Sequence, residues 1–339
     1  MRKTNSPLKK DKTMAKIVIL GSGGWGMALG LVAFRTGHEV TLWSPFEAEV
    51  ESLSKTRRND KLLRGAQLPK EIKITSDISV SKDADVTIIA TPSFAVAETA
   101  KKLREIGKTG IVVNVAKGFE NGTKLRLSQV IERELPEADV VVLSGPSHAE
   151  EVALNIPTSL VSASKNEKAA AFVQEIFSDT ALRIYTSDDL IGVELGGALK
   201  NVIAVAAGFC DGIGLGDNTK AALITRGAAE IARLGVKMGA KERTFLGLAG
   251  IGDLIVTCTS RHSRNGRFGD LVGKGISVKE ALKTVGTVEG YYATKLAFEL
   301  AKEHGVEMPI TEQCYRVLYE NMDINLAVEN LMNRPMAQE

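Results

Sequence analysis

The chain has 339 residues, enough for about two domains and a substantial core. Apolar residues make up 44% and charged residues 25%, the balance of a globular protein rather than a disordered or fibrous one. A formal net charge of +2 argues against a dedicated nucleic-acid surface, and no apolar run reaches the roughly 18 residues that a membrane span needs.

Residues 1–13 are polar, carry Lys3, Lys9, Lys10 and Lys12, and lack the apolar segment of a signal peptide. They read as a disordered extension before Met14. Lys16–Leu20 then reads as a short buried strand. It runs into Gly21-Ser22-Gly23-Gly24-Trp25-Gly26 and an apolar helix from Met27. In such a turn Gly21 allows the tight bend, Gly23 lets a phosphate approach the backbone, and Gly26 lets the helix pack close to the strand. The helix N-terminus offers free N–H groups and a partial positive charge, which predicts a pyrophosphate site.

Further strands are predicted at Val40–Trp43, Ile72–Thr75, Val86–Ala90, Ile111–Asn114, Val140–Leu143, Pro157–Ala163 and Leu182–Thr186. Helices are predicted between them, at Ala95–Ile106, Lys124–Leu135 and Glu167–Phe177. Short β-branched runs alternating with helices predict an α/β fold with a Rossmann-type, mainly parallel, doubly wound sheet. The pattern changes near Asp188. Ile191–Ala207 is apolar almost all round, the mark of a buried helix, and Gly192, Gly196 and Gly197 inside it predict close approach of another backbone or a ligand. Later helices are predicted at Asn218–Gly235, Val278–Leu282, Gly290–Glu303 and Thr311–Tyr319. The division is a nucleotide-binding domain over 14–188 and an all-helical, substrate-binding domain over 189–335, with a crevice between them.

Ligands of such sheets sit beyond the carboxyl ends of the strands. Those ends carry Thr91-Pro92-Ser93, then Ala116-Lys117-Gly118-Phe119-Glu120, then Ser144-Gly145-Pro146-Ser147-His148-Ala149. A cation and small polar residues suit an anionic ligand, although Lys117 alone could be a solvated loop lysine. The second strand ends at Trp43-Ser44-Pro45 without the acid that binds the ribose of NAD or an arginine for the 2′-phosphate of NADP; Arg57 and Arg58 lie further on. Lys200 falls inside the buried helix. A lysine there is either a structural ion pair, a snorkelling side chain, or a group whose lowered pKa suits it to proton transfer. Glu194 lies on another face of that helix, and Asp253 is the candidate partner. The segment Thr257–Arg267, with arginines, hydroxyls and an amide, suits a phosphate but could also be a solvated basic loop. Cys210, Cys258 and Cys314 are too few and too scattered for a disulfide framework and suit a reduced, cytoplasmic setting. His38, His148, His262 and His304 show no metal-ligand spacing, so no metal is expected.

Taken in order, the glycine turn, Ala116–Glu120, Ser144–Ser147, Gly196-Gly197-Ala198-Leu199-Lys200-Asn201, Gly250-Ile251-Gly252-Asp253-Leu254 and Ser263-Arg264-Asn265 resemble the bacterial-type NAD(P)-dependent sn-glycerol-3-phosphate dehydrogenases. Val288-Glu289-Gly290 and Met308-Pro309-Ile310 also match, and the resemblance runs from about Lys16 into the 320s. It implies a 6-phosphogluconate-dehydrogenase-like helical domain. It also implies NAD(P)H-dependent, reversible reduction of dihydroxyacetone phosphate to glycerol 3-phosphate for phospholipid synthesis. A homodimer without nucleic-acid or membrane partners is implied as well. By motif matching, Lys200 would be the catalytic proton donor. Lys117, Gly145, Ser147, Lys200, Asp253, Ser263, Arg264 and Asn265 would bind substrate. Gly21, Gly23, Gly24, Trp25, Gly26, Lys117, Ala149, Arg264, Thr287 and Glu289 would contact the nucleotide. Gly24 stands where many members have serine, and the match around Thr287 is one residue short. Pro45 and Phe46 stand where members commonly carry histidine or arginine, so the choice between NADH and NADPH is not implied.

Two other functions fit the residues read alone. A related Rossmann-plus-helical enzyme would reduce a keto acid, whose carboxylate asks for one fork-like arginine rather than the Ser263-Arg264-Asn265 cluster. A non-catalytic nucleotide sensor would have no use for both Lys117 and Lys200.

Overall fold

The computed structural model describes residues 14–178 and 181–336; the polar extension expected over 1–13 lies outside the described residues. Eight strands form one sheet: β1 Lys16–Leu20, β2 Glu39–Trp43, β3 Lys73–Thr75, β4 Val86–Ile89, β5 Gly110–Asn114, β6 Ala138–Ser144, β7 Thr158–Ser164 and β8 Leu182–Ser187. Their order across the sheet is β3-β2-β1-β4-β5-β6-β7-β8. All neighbours are parallel except β6 and β7, which run antiparallel.

The β-branched runs form this sheet because helices cover both of its faces. Side chains alternate across a strand. In β1, Ile17 and Ile19 enter the core beneath the helices Gly24–Arg35 and Glu167–Phe177, while Val18 and Leu20 enter the core beneath Val96–Glu105 and Leu127–Glu134. Each such fully buried side chain contributes about 1.5–3 kcal/mol. The chain order reverses between β1 and β4, so the carboxyl ends of these strands open a crevice there.

Two helix boundaries differ from the sequence prediction for local reasons. The helix predicted from Lys124 starts at Leu127. Glu120 N–H donates to Leu125 O at 2.9 Å and Phe119 bridges to Arg126, closing a small turn in which Lys124 has φ +61°. The helix predicted from Ala95 starts at Val96, after a 3₁₀ turn at Ser93–Ala95 set by Pro92.

Beyond β8 the described structure is helical. Leu190–Gly212 runs through the centre, flanked by Asp217–Lys237, Asp253–Thr259, Arg264–Gly273 and Glu289–His304. Asp189 caps it, accepting Gly192 N–H at 2.9 Å, and also takes Lys241 N–H and the Thr244 hydroxyl, which fixes its start. The helix extends past the predicted Ala207 because it crosses Arg264–Gly273 glycine against glycine. A Cβ on Gly208 would lie 2.2 Å from Gly266 O, so only glycine allows this contact. The expectation of no membrane-length apolar stretch needs correction: this helix has 23 residues and a mean hydropathy of 1.6, long and apolar enough by those criteria. Its apolar window is 94% buried in the protein core.

Candidate active site

The glycine turn follows β1, and its geometry separates the roles of its glycines. Gly21 has φ +125°, and a Cβ there would lie 2.7 Å from Ala90 O. A Cβ on Gly26 would lie 2.0 Å from Gly21 O, so this glycine lets helix and strand touch. Gly23 is different: a Cβ there would meet nothing within 4 Å. Protein packing does not need that glycine, and the space beside it fits an approaching phosphate. Gly23 also caps the helix Gly24–Arg35 without any side chain, so the first amides are left to an anion. Trp25 packs partly into the core below. Ala149, first residue of the helix Ala149–Ala153, has its Cβ 3.7 Å from the Cβ position of Gly24. The hydroxyl of Thr91, at the end of β4, is buried with no hydrogen-bond partner. An open amide cradle and an orphaned hydroxyl at the crevice fit a nicotinamide dinucleotide.

Across the crevice, Lys200 is buried at 5% exposure in the middle of the central helix. Its ammonium donates to Asp253 Oδ1 and, at 2.5 Å, to Thr257 Oγ1. Asp253 and Thr257 lie one turn apart on Asp253–Thr259, which follows a π-turn at Leu248–Gly252. Asp253 Oδ2 takes the ammonium of Lys117 at 2.6 Å, and Lys117 also donates to Gly145 O at 3.1 Å. One carboxylate thus holds two ammonium groups from opposite halves of the molecule. The small cluster keeps a net positive charge in a desolvated place, where charge is costly unless an anion arrives. Burial is the main cause that brings the Lys200 pKa down to about 8; Asp253 opposes it and Lys117 adds to it. An amine in that range can both give and take a proton near neutrality.

The glycines of the central helix allow this meeting. A Cβ on Gly196 would lie 2.4 Å from Ala249 O, and one on Gly197 would lie 2.9 Å from Ser144 Oγ and 3.4 Å from the Lys117 side chain. The close approach read from the sequence is therefore to the backbone ahead of Asp253 and to the loops after β5 and β6. Ser144 Oγ is buried without a partner, beside Gly145, whose φ of +139° and carbonyl both serve the Lys117 contact. Ser147 Oγ donates to Gly145 O at 3.1 Å. His148 Nε2 is also buried and unpartnered, with its ring 5.7 Å from that of His262 on the other wall. Burial holds the His148 pKa below its ordinary value.

The Lys117 loop is pinned from below. Glu194, on the same helix as Lys200, accepts from Arg126, from Ser128 N–H at 2.8 Å and from Ser128 Oγ at 2.5 Å. All these groups are buried. Burial raises the Glu194 pKa, opposed by Arg126 and Ser128.

The third wall is Ser263-Arg264-Asn265. The sequence places the hydroxyl and the amide of this segment in a phosphate's grip, but the structure gives those side chains other partners. Ser263 caps the helix Arg264–Gly273, accepting Gly266 N–H at 3.1 Å. Asn265 donates to Asn201 Oδ1 and accepts Gly290 N–H, both at 2.9 Å. What this wall offers an anion is the helix N-terminus and the exposed guanidinium of Arg264. Arg264 lies near enough to Glu289 to counter the upward push of burial on its carboxyl. Glu289 accepts from Ser93 Oγ at 2.7 Å, which joins this wall to the loop after β4. Thr287 sits two residues before it, partly buried.

Sequence reading named Ser93, Asn201 and Thr257 only within motifs, without their partners Glu289, Asn265 and Lys200, and missed the Arg126–Glu194 pair. The i,i+4 spacing of Asp253 and Thr257 is a signal that was available; Ser93 and Glu289, 196 residues apart, carry none. Arg57, named for a 2′-phosphate, is instead turned into its own loop, donating to Ile72 O at 2.7 Å and Pro69 O at 3.4 Å.

Two family models cover the chain: the NAD-dependent glycerol-3-phosphate dehydrogenase N-terminus over residues 16–170 and the C-terminus over 189–329. The chain is 51% identical over 328 residues to glycerol-3-phosphate dehydrogenase [NAD(P)+] of Desulfitobacterium hafniense, covering 96% of this chain and 93% of that one. It is 50% identical over 329 residues to the enzyme of the same name from Clostridium perfringens, covering 96% and 99%. The crystal structure of glycerol-3-phosphate dehydrogenase from Coxiella burnetii superposes with a TM-score of 0.89 at 39% identity, over 95% of this chain and 99% of that one. A ketopantoate reductase from Ralstonia eutropha, at 17% identity and a TM-score of 0.61, shares the fold alone. A glycine-turn cradle and two lysines held on one buried carboxylate, on a chain matched by both models, make this protein an NAD(P)-dependent oxidoreductase belonging to the NAD-dependent glycerol-3-phosphate dehydrogenase family.

Proposed function

We propose that the crevice between 14–188 and 189–335 reversibly reduces dihydroxyacetone phosphate to sn-glycerol 3-phosphate, with Lys200 as the proton donor. The observation that carries this reading is the single carboxylate of Asp253 holding Lys200 and Lys117 together, with a net positive charge on the side of the sheet where the strands end and the glycine turn lies.

The bound nicotinamide supplies hydride to the ketone carbon. As negative charge grows on the carbonyl oxygen, the Lys200 ammonium stabilises it and then transfers its proton. In the reverse direction the neutral amine takes the alcohol proton. Asp253 and Thr257 aim the Lys200 nitrogen, and Lys117 raises the local positive potential and bridges substrate and cofactor. Arg264 and the amides at the start of its helix hold the phosphate and so position the reacting carbon. Gly145 and Ser147 shape the wall beneath the substrate. Gly21, Gly23, Gly24, Trp25 and Gly26, with Ala149, cradle the pyrophosphate. Thr287 and Glu289 would contact the nucleotide from the helical side. The product is the backbone of glycerophospholipids, the working compartment is the cytoplasm, and the assembly is a homodimer.

The test is an initial-rate assay with dihydroxyacetone phosphate and each reduced nicotinamide, beside keto acids of similar size. Turnover of the phosphorylated ketone alone supports the reading. Preference for a keto acid, or nucleotide binding without turnover of either, overturns it.

A further inference from the structure

Neither Ser44 nor Pro45, at the end of β2, is an acid or an arginine, yet the structure brings a carboxylate to that place. Gly21 N–H donates to Trp43 O at 2.9 Å, so the end of β2 lies against the glycine turn. Ser44 follows, buried at 1% exposure, and its backbone N–H continues the sheet to Thr75 O at 3.1 Å. Its hydroxyl donates to Glu49 Oε2 at 2.5 Å and accepts Phe46 N–H at 3.3 Å. Glu49 lies in the first turn of the helix Glu47–Thr56, where the helix field favours a negative charge. The carboxylate therefore reaches back to the strand end at which sheets of this kind read the adenosine ribose. Phe46, 67% exposed beside it, offers a flat apolar surface to an adenine.

Most of the neighbouring cations already have partners. Arg57 is committed to Ile72 O and Pro69 O, and Arg58 to Gln67 Oε1 at 2.9 Å. Lys55 pairs with Glu51 and Lys73 with Glu39. Lys61 and Arg64, exposed on the loop between the helix Glu47–Thr56 and β3, make no ion pair among the described residues. Glu47 adds a second acid at the same helix start.

We propose that Glu49, oriented by the Ser44 hydroxyl, binds the adenosine ribose and makes this chain select NADH over NADPH. A carboxylate accepts a hydrogen bond from a free 2′-hydroxyl. A 2′-phosphate has no such proton and brings nearly two negative charges against an anion held in place. The inference rests on the reading of the crevice as a nicotinamide dinucleotide site.

The test is a binding titration with NADH and NADPH, read by nucleotide fluorescence without substrate, supported by initial rates with each. Wild type should bind NADH at least about 10-fold more tightly than NADPH. Glu49→Gln should shrink that ratio at least about fivefold, chiefly by tightening NADPH, and more so at low ionic strength. Ser44→Ala should weaken NADH by freeing the carboxylate. Equal or tighter binding of NADPH by wild type, or an unchanged ratio in Glu49→Gln, overturns the proposal and leaves the dehydrogenase reading standing. Failure of both nucleotides to bind overturns the two together.

Discussion

The two walls of the crevice are built from different materials. The sheet side presents backbone: glycines, free amides at a helix start, and carbonyls at strand ends. The helical side presents buried charge: Lys200 and Asp253 at the crevice and Glu194 behind it, each lying on or beside a helix packed in an apolar core. Backbone sites work by leaving side chains out, so they follow short sequence motifs. Charged sites work by matching partners, and the partners come from far along the chain: 53 residues separate Lys200 from Asp253 and 136 separate Lys117 from Asp253.

The contrast breaks most visibly at Lys200. Lys200→Met should lower kcat by about 10²-fold or more while nucleotide binding changes little, as stopped-flow turnover beside a fluorescence titration would reveal. Turnover within a few-fold of the parent would remove the acid–base role. Glu194→Leu tests whether the helical wall depends on paired charge. It strands a buried guanidinium, so stability should fall by roughly 3–5 kcal/mol, read as the shift of a urea or thermal midpoint. A shift under about 1 kcal/mol would mean that the pair matters little.

Arg264→Ala should raise KM for the phosphorylated ketone by about 10-fold or more and alter kcat less, because it removes a grip on a non-reacting group. An unchanged KM would take Arg264 out of the site. The pH profile follows from the lowered Lys200 pKa of about 8. The ammonium is the competent form for reduction, so that rate should fall as pH rises through about 8, while oxidation should gain over the same range. On stability the sign is separate: the folded state loses this proton before the unfolded chain does, so the group's contribution grows as pH rises from about 8 toward the unfolded value and is lost again as pH falls through about 8. The smallest effect is expected on the backbone side. Gly23→Ala should leave the melting midpoint nearly unmoved and still weaken nucleotide binding severalfold, because the space beside that Cα is open in the protein alone. A loss of stability there would place Gly23 among the packing glycines with Gly26.

All eight strands were legible as short, largely β-branched runs; the inner ones are covered by helices on both faces, while β3 and β8 at the edges keep exposed positions. The Lys200–Asp253 pair was also legible, because a lysine in an apolar helix needs an anion and Asp253 was the candidate named. The partners of the Ser263 and Asn265 side chains were not legible, since residues suited to gripping phosphate are equally suited to capping a helix and bridging two others. Where Arg57 points was not legible either: its position near the strand end is plain in the sequence, whereas its left-handed backbone turns it toward its own loop.

Local chemistry is written in the sequence: where glycine must stand for a turn, which runs pair as strands, which charge is too buried to be idle. Those choices depend on neighbours within a few positions, so the chain determines them alone. Which carboxylate meets Lys200 and Lys117 at once, and that Arg126 anchors the Lys117 loop on Glu194, were decided only when sheet and helices packed. Such contacts join distant segments, and a hydrogen bond is set by a few tenths of an ångström that only the assembled core defines.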